Sequence, residues 1–233
     1  MKAVVFAVAA LSVVTVSAQD LPQPSPKGEV EQIIGLTKVE VEYSRPSAKG
    51  RVVFGDVVPY DKLWRTGANQ NTLIEFSGPV KFAGQDVPAG KYSIFTTPGK
   101  ETWVVHLNKN IELWGEDGFK EEENVATVKV QAVPSDHTET LTFEFASLKD
   151  DNADLVLRWE KTKLVIPIET DATEQGIANI KEALAKPDAK AGAFGGSARF
   201  ALDRNVMTKE ALEWATKSVE MDKKRSEERR VGK

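Results

Sequence analysis

The stretch from Tyr43 to Asn69, YSRPSAKGRVVFGDVVPYDKLWRTGAN, brings Arg45, Arg51 and Arg65 together with Phe54, Tyr60 and Trp64. Guanidinium groups give planar, forked donors for a carboxylate, a phosphate or sugar hydroxyls, and Tyr60 and Trp64 give flat faces on which a ligand can stack. Asn69, Gln70 and Asn71 add amide donors and acceptors. Arg45, Arg51, Tyr60, Trp64, Arg65 and Asn69 therefore form a candidate surface for a glycan or an acidic ligand. A structural role competes with it. Arg45 and Arg65 can pair with strand carboxylates such as Glu42 or Glu75, while Phe54, Val58 and Trp64 plug one end of a β-sandwich. Gly and Pro recur through the segment, so it reads as a long loop, too aromatic to be disordered.

Other chemistries find less support. There is no cysteine and no G-x-S-x-G elbow, and only two histidines can serve as bases. His106 alternates with Trp103, Val105 and Leu107 and is expected on a strand surface. His137 sits beside Asp136 in a predicted turn, Pro134 to Thr138; the pair resembles a base with its orienting carboxylate, although a turn explains both residues. A hydrolase using His137 or an unmarked carboxylate pair is thus one alternative. Asp150, Asp151, Asn152 and Asp154 offer closely spaced oxygens, but the Gly and Glu of a calcium loop do not follow, and a hairpin turn prefers the same residues. The run from Gly192 to Gly196 lacks the preceding strand and the Lys of a phosphate-cradling loop. No metal and no cofactor are expected.

The elements that must position these residues begin after a leader. Lys2, the apolar run Ala3 to Val16 and the small residues Val16-Ser17-Ala18 read as a signal peptide over residues 1–18, with the mature chain starting at Gln19 and exported to the periplasm or beyond. The apolar run is shorter than the roughly 20 residues of a membrane crossing, so no membrane span is expected after cleavage. The 31 basic side chains less Lys2 leave 30 against 35 acidic, a net charge of −5. Six basic and two acidic side chains lie in the last eleven residues, so residues 19–222 carry about −9. An acidic body argues against nucleic acid as a partner.

A Pro-rich linker over residues 19–28 precedes strands with period-2 alternation: Lys38 to Tyr43, Thr72 to Ser77, Pro79 to Ala83, Lys91 to Thr97, Thr102 to Asn108, Val125 to Val133, Thr138 to Ala146, Ala153 to Glu160 and Lys163 to Glu169. The spacing predicts a mostly β domain over 29–170, an antiparallel β-sandwich of jelly-roll or immunoglobulin-like type. From Asp171 the period becomes helical. Asp171 with Glu174 reads as a capping box, and helices are predicted through Ile177, Ile180 and Leu184, over Ala189 to Asp203, and over Thr208 to Lys224. This α-helical appendage, 171–224, carries Ala211-Leu212-Glu213-Trp214-Ala215 and Val219, which look like a tetratricopeptide-type helix and offer a protein partner an apolar stripe. The terminal RSEERRVGK, 225–233, is unlike the helix before it and is expected to be a non-native or disordered tail, or else a solvated helix end.

Four motifs in order, YSRPSAKGR, FGDVVPYDKLWRTGAN, VPAGKYSIFTTPG and the region of Trp103 and Trp114, resemble the bacterial family known as domain of unknown function 2911, across about Gly35 to Glu169. The resemblance implies an exported bacterial protein with a β-rich body and a helical extension, and no particular activity. Relatives are expected to carry an apolar residue at the position of His106. The functional expectation is a noncatalytic binding or scaffold module of the envelope, with an interaction module acting through the C-terminal helices as a further alternative.

Overall fold

The computed structural model of the chain describes residues 21–231. The expected leader, the start at Gln19 and the last two residues lie outside the described residues. Nine strands run β1 (Lys27–Ile34), β2 (Thr37–Ser44), β3 (Thr72–Phe76), β4 (Val80–Phe82), β5 (Gln85–Val87), β6 (Gly90–Thr97), β7 (Thr102–Asn108), β8 (Asn124–Lys149) and β9 (Asn152–Glu169). Three helices follow, α1 (Thr173–Ala185), α2 (Ala191–Asp203) and α3 (Thr208–Val231). All pairings are antiparallel, in the order β1-β2-β3-β6-β7-β8-β9-β4-β5.

Two long strands turn this one sheet into two layers. β8 pairs with β7 as far as Gln131, then with β9 from Ala132 onward. Its register shifts between Pro134 and Thr138 and again between Thr138 and Thr142. Such irregularities bend a strand and increase its twist, so the turn predicted at Pro134 to Thr138 is a kink within one strand. The two runs expected on either side of residue 161 are likewise one strand, β9, with Glu160 at φ 53°. β1 and β5 were not expected; Lys27 and Gly28 of the predicted linker belong to β1.

The inward faces of both layers share one core. Val39, Val41 and Ile74 come from the first layer, and Leu141, Phe143, Leu155 and Ile166 from the second. Phe54, from the long loop, stands edge-on between Trp103 of β7 at 4.7 Å and Trp159 of β9 at 5.9 Å. The loop therefore supplies core, as its competing structural role required: Phe54, Val58 and Trp64 are all buried. Beyond β2, Pro46 and Ala48 exchange backbone hydrogen bonds with Leu141 and Glu139 of β8, fastening the layers together.

The appendage hangs on the β8–β9 turn. Arg204, just past α2, donates to both carboxylate oxygens of Asp151, at 2.6 and 2.7 Å, and to Thr173 Oγ1, while its guanidinium lies 4.9 Å over the Phe200 ring. That fork holds the Asp151 carboxyl below the usual carboxylate range. The capping box does not form. Ala172 precedes α1 without a side-chain cap, and Asp171 Oδ1 instead accepts from the Thr173 backbone N–H at 2.8 Å. α3 continues past Lys224 to Val231, through most of the segment expected as a tail.

Candidate functional site

Each arginine of the long loop turns to the protein itself. Arg45 donates to Leu141 O at 3.2 Å and Thr142 Oγ1 at 3.0 Å, and Arg51 to Ala48 O and Ser47 O, both at 2.9 Å. Arg65 pairs with Glu116 at 3.0 Å, and the same carboxylate oxygen accepts from the Arg65 backbone N–H. These partners differ from the expected Glu42 and Glu75, which flank Lys91 instead. Trp64 is 6% exposed. Its backbone pairs with Thr96, its indole N–H donates to Gly67 O, and its ring stacks on Trp159 at 5.8 Å. The indole face is covered by core, not open to a ligand. Tyr60 is half-buried beside Gly55, and Asn69 reaches Ser25 O and Ser44 Oγ.

The two histidines depart from expectation in opposite ways. His106 is 7% exposed because the segment after β7, residues 109–123, folds back over that face of the sheet and sets Phe119 against it at 5.7 Å. The alternation was read correctly, but it cannot reveal a covering segment. A chain of amides fixes the imidazole. Asn108 Nδ2 donates to Asn124 Oδ1 at 2.8 Å, which turns Asn124 Nδ2 toward His106 Nδ1 at 3.2 Å and leaves the ring proton on Nε2. Burial lowers the His106 pKa, against the pull of Glu121. His137 lies on β8 rather than in a turn, and its partner is Glu139 at 3.3 Å, not Asp136. Glu139 also accepts from the Lys49 N–H, and both side chains are about half exposed.

Hydrogen-bonding groups without partners converge elsewhere. A pocket of about 230 Å³ opens between β1, β2 and the segment 70–73, lined by Lys27, Glu29, Glu42, Ser44, Gln70 and Asn71 among others. Ser44 and Asn71 are each 4% exposed. Asn71 gives its Nδ2 to Ser93 and its backbone N–H to Leu113 O, but among the described residues its Oδ1 has no partner. Ser44 Oγ accepts from Asn69 and donates to none of the described residues. Neither atom is sealed in the interior, where Arg65 Nε and Trp159 Nε1 are the unpartnered side-chain atoms among the described residues. Beside the pocket, Gln70 bridges to Trp114, whose indole is 68% exposed. Trp114 rides on the same covering segment that buries His106.

A larger cleft of about 790 Å³ lies where the β4–β5 hairpin meets Asp151, Asp171 and Arg204. Its cations are already paired, Lys81 with Asp86 at 2.7 Å and Arg204 with Asp151. That cleft is the seam on which the appendage docks. The smaller pocket has the unengaged chemistry: one hydroxyl donor, one amide acceptor and the Glu29 carboxylate, with Glu42, already paired to Lys91, beside it and an exposed aromatic residue at the Gln70 edge.

Residues 25–168 match the family model described as Protein of unknown function (DUF2911). The chain belongs to this family. The DUF2911 match takes in both the arginine loop and the pocket, and α1, α2 and α3 lie beyond it. No curated protein and no solved structure matches the chain. Within the DUF2911 domain, sequence reasoning missed Lys27, Glu29, Ser44 and Trp114 as candidate site residues. Trp114 in a segment rich in Gly and Glu was the available signal, since a tryptophan in a polar loop is a candidate contact residue.

Proposed function

We propose that this protein is an exported, noncatalytic binding module of the bacterial envelope whose ligand is a glycan held at the pocket of Ser44, Gln70 and Asn71. The observation that carries this reading is the pair Ser44 and Asn71, nearly buried yet each with an unengaged hydrogen-bonding group beside the exposed Trp114. Both groups open onto the pocket rather than being sealed in the interior, so a ligand hydroxyl can bond to them in place of solvent. Trp114 pairs through its backbone with Gln70 of the pocket, and an exposed indole at that edge is suited to the apolar face of a sugar ring. The loop arginines then act as braces of the fold, bonded to Leu141, Thr142, Ala48 and Glu116 outside the pocket. Export is supported by the leader-like residues Lys2 to Ala18. A hydrolytic role for His137 loses support, since His137 does not line the pocket.

The test is thermal unfolding of the purified protein with neutral, amine-bearing and acidic oligosaccharides. A ligand at ~100 times its dissociation constant should stabilise the native state by about 2.7 kcal/mol. The rise in Tm should vanish in Gln70→Ala. A panel in which no glycan raises Tm, or in which Gln70→Ala responds fully, would overturn the reading.

One observation favours a second reading, an interaction module acting through tetratricopeptide-like helices. Leu212 and Val219 on α3 are 72% and 53% exposed and lie seven residues apart on one helical face. Association that grows with concentration in sedimentation and disappears in Leu212→Asp would support it; a monomer at all concentrations would count against self-association through that face.

A further inference from the structure

We infer that the pocket takes a glycan bearing a free amine, an amino sugar, in preference to acetylated or acidic ones; the inference rests on the glycan reading above. The strand register decides the charge of the pocket's surroundings. It sets Glu29 opposite Glu42, Glu31 opposite Glu40, and Glu40 opposite Glu75 on one face of β1, β2 and β3. Like charges directly opposite one another on a sheet repel. Lys38 lies between Glu31 at 3.3 Å and Glu40 at 2.6 Å, and Lys91 between Glu42 and Glu75. Glu29 has no ion pair among the described residues, and its carboxylate lies within 4.8 Å of those of Glu31 and Glu40. Even with Lys27 counted, five carboxylates face three lysines across this surface.

Carboxylates alone would make only a solvated acidic face. Here the unpaired Glu29 and its opposite, Glu42, line the same pocket as Asn71 Oδ1 and the Ser44 hydroxyl, on side chains more than nine-tenths buried. An ammonium between Glu29 and Glu42 relieves their repulsion, while ring hydroxyls reach Asn71 and Ser44. A uronate or sugar phosphate meets net negative charge, because the arginines that would attract it are turned inward onto Leu141, Thr142, Ala48 and Glu116. Acetylation removes the positive charge and with it the contact to Glu29.

Calorimetric titration with four probes tests this: a glucosamine tetramer below its amine pKa, an N-acetylglucosamine tetramer, a galacturonate tetramer and a lysine-containing tetrapeptide. The glucosamine tetramer should bind about fivefold tighter than the acetylated one, the size of a partly exposed ion pair. The galacturonate tetramer should be weakest, and raised salt should shrink the preference. Glu29→Gln, a change on an exposed side chain that leaves the fold intact, should bring the amine-to-acetyl ratio near one. Equal binding of the two neutral-backbone tetramers, or tightest binding of galacturonate, overturns the amine preference and leaves the glycan reading standing. Binding of the peptide alone, or of no probe, overturns both.

Discussion

The arginine loop and the Ser44–Asn71 pocket lie within one domain, yet the loop's guanidinium groups are bonded to the protein while the pocket keeps an acceptor and a hydroxyl proton open to solvent. In the loop, Arg45, Arg51 and Arg65 each find acceptors inside the protein, and Trp64 is sandwiched in an aromatic cluster with Trp103 and Trp159. In the pocket, Asn71 Oδ1 and the Glu29 carboxylate take no bond from the described residues, the Ser44 hydroxyl accepts from Asn69 but donates to none of them, and Trp114 stands open at the edge by Gln70. The difference teaches that a dense set of recognition residues marks a demanding structural task as readily as a site. What separates the two is whether the donors and acceptors are already engaged.

The largest effect is expected at Trp64. Trp64→Ala should cost about 3–5 kcal/mol in urea unfolding, because it empties the centre of the aromatic cluster; a loss near zero would mean that the indole is not core. Arg45→Ala should cost about 1–3 kcal/mol by leaving Leu141 O and Thr142 without their donor. Calorimetry on the folded variant should return an unchanged dissociation constant for the glycan. Trp114→Ala should behave in the reverse way, shifting stability by less than about 0.5 kcal/mol while weakening glycan binding roughly fivefold, about 1 kcal/mol.

The smallest effect concerns the segment that carries Trp114. His106 beneath it is kept neutral by burial, with its pKa lowered from 6.5. As pH falls, the unfolded chain takes up this proton first. The stability tied to neutral His106 is therefore full above 6.5 and is lost as pH drops from there through the lower folded value. Urea midpoints at about pH 7.5 and about pH 5.5 should differ less in His106→Gln than in the wild type. An equal difference in both would show that His106 does not titrate against the fold.

Much of the sandwich was legible because β-branched and aromatic residues alternate clearly along Thr72 to Phe76, Gly90 to Thr97 and Thr102 to Asn108. The two long strands were not legible as units. Pro134 and the turn-like residues around it read as a break, whereas the chain keeps pairing through a register shift. β1 was missed because Gly28 and Gln32 interrupt its inward apolar face, and β5 because three residues leave no period to count. The loop was correctly singled out, but composition cannot tell a guanidinium facing solvent from one facing Leu141 O. The pocket was the least visible, since Glu29, Ser44 and Asn71 come from separate segments and matter through a bond they do not make. Burial of His106 was hidden for a related reason: Phe119 reaches it from a segment without periodicity of its own.

Whether the pocket or the arginine loop meets the ligand is decided by hydrogen–deuterium exchange of the intact protein with and without saturating glucosamine tetramer. A ligand in the pocket slows exchange in the segments 27–30, 42–45 and 70–73 and around Trp114 and leaves the loop residues 49–62 unchanged. Slowed exchange confined to 49–62 would place the ligand on the arginine loop and overturn the pocket as the site.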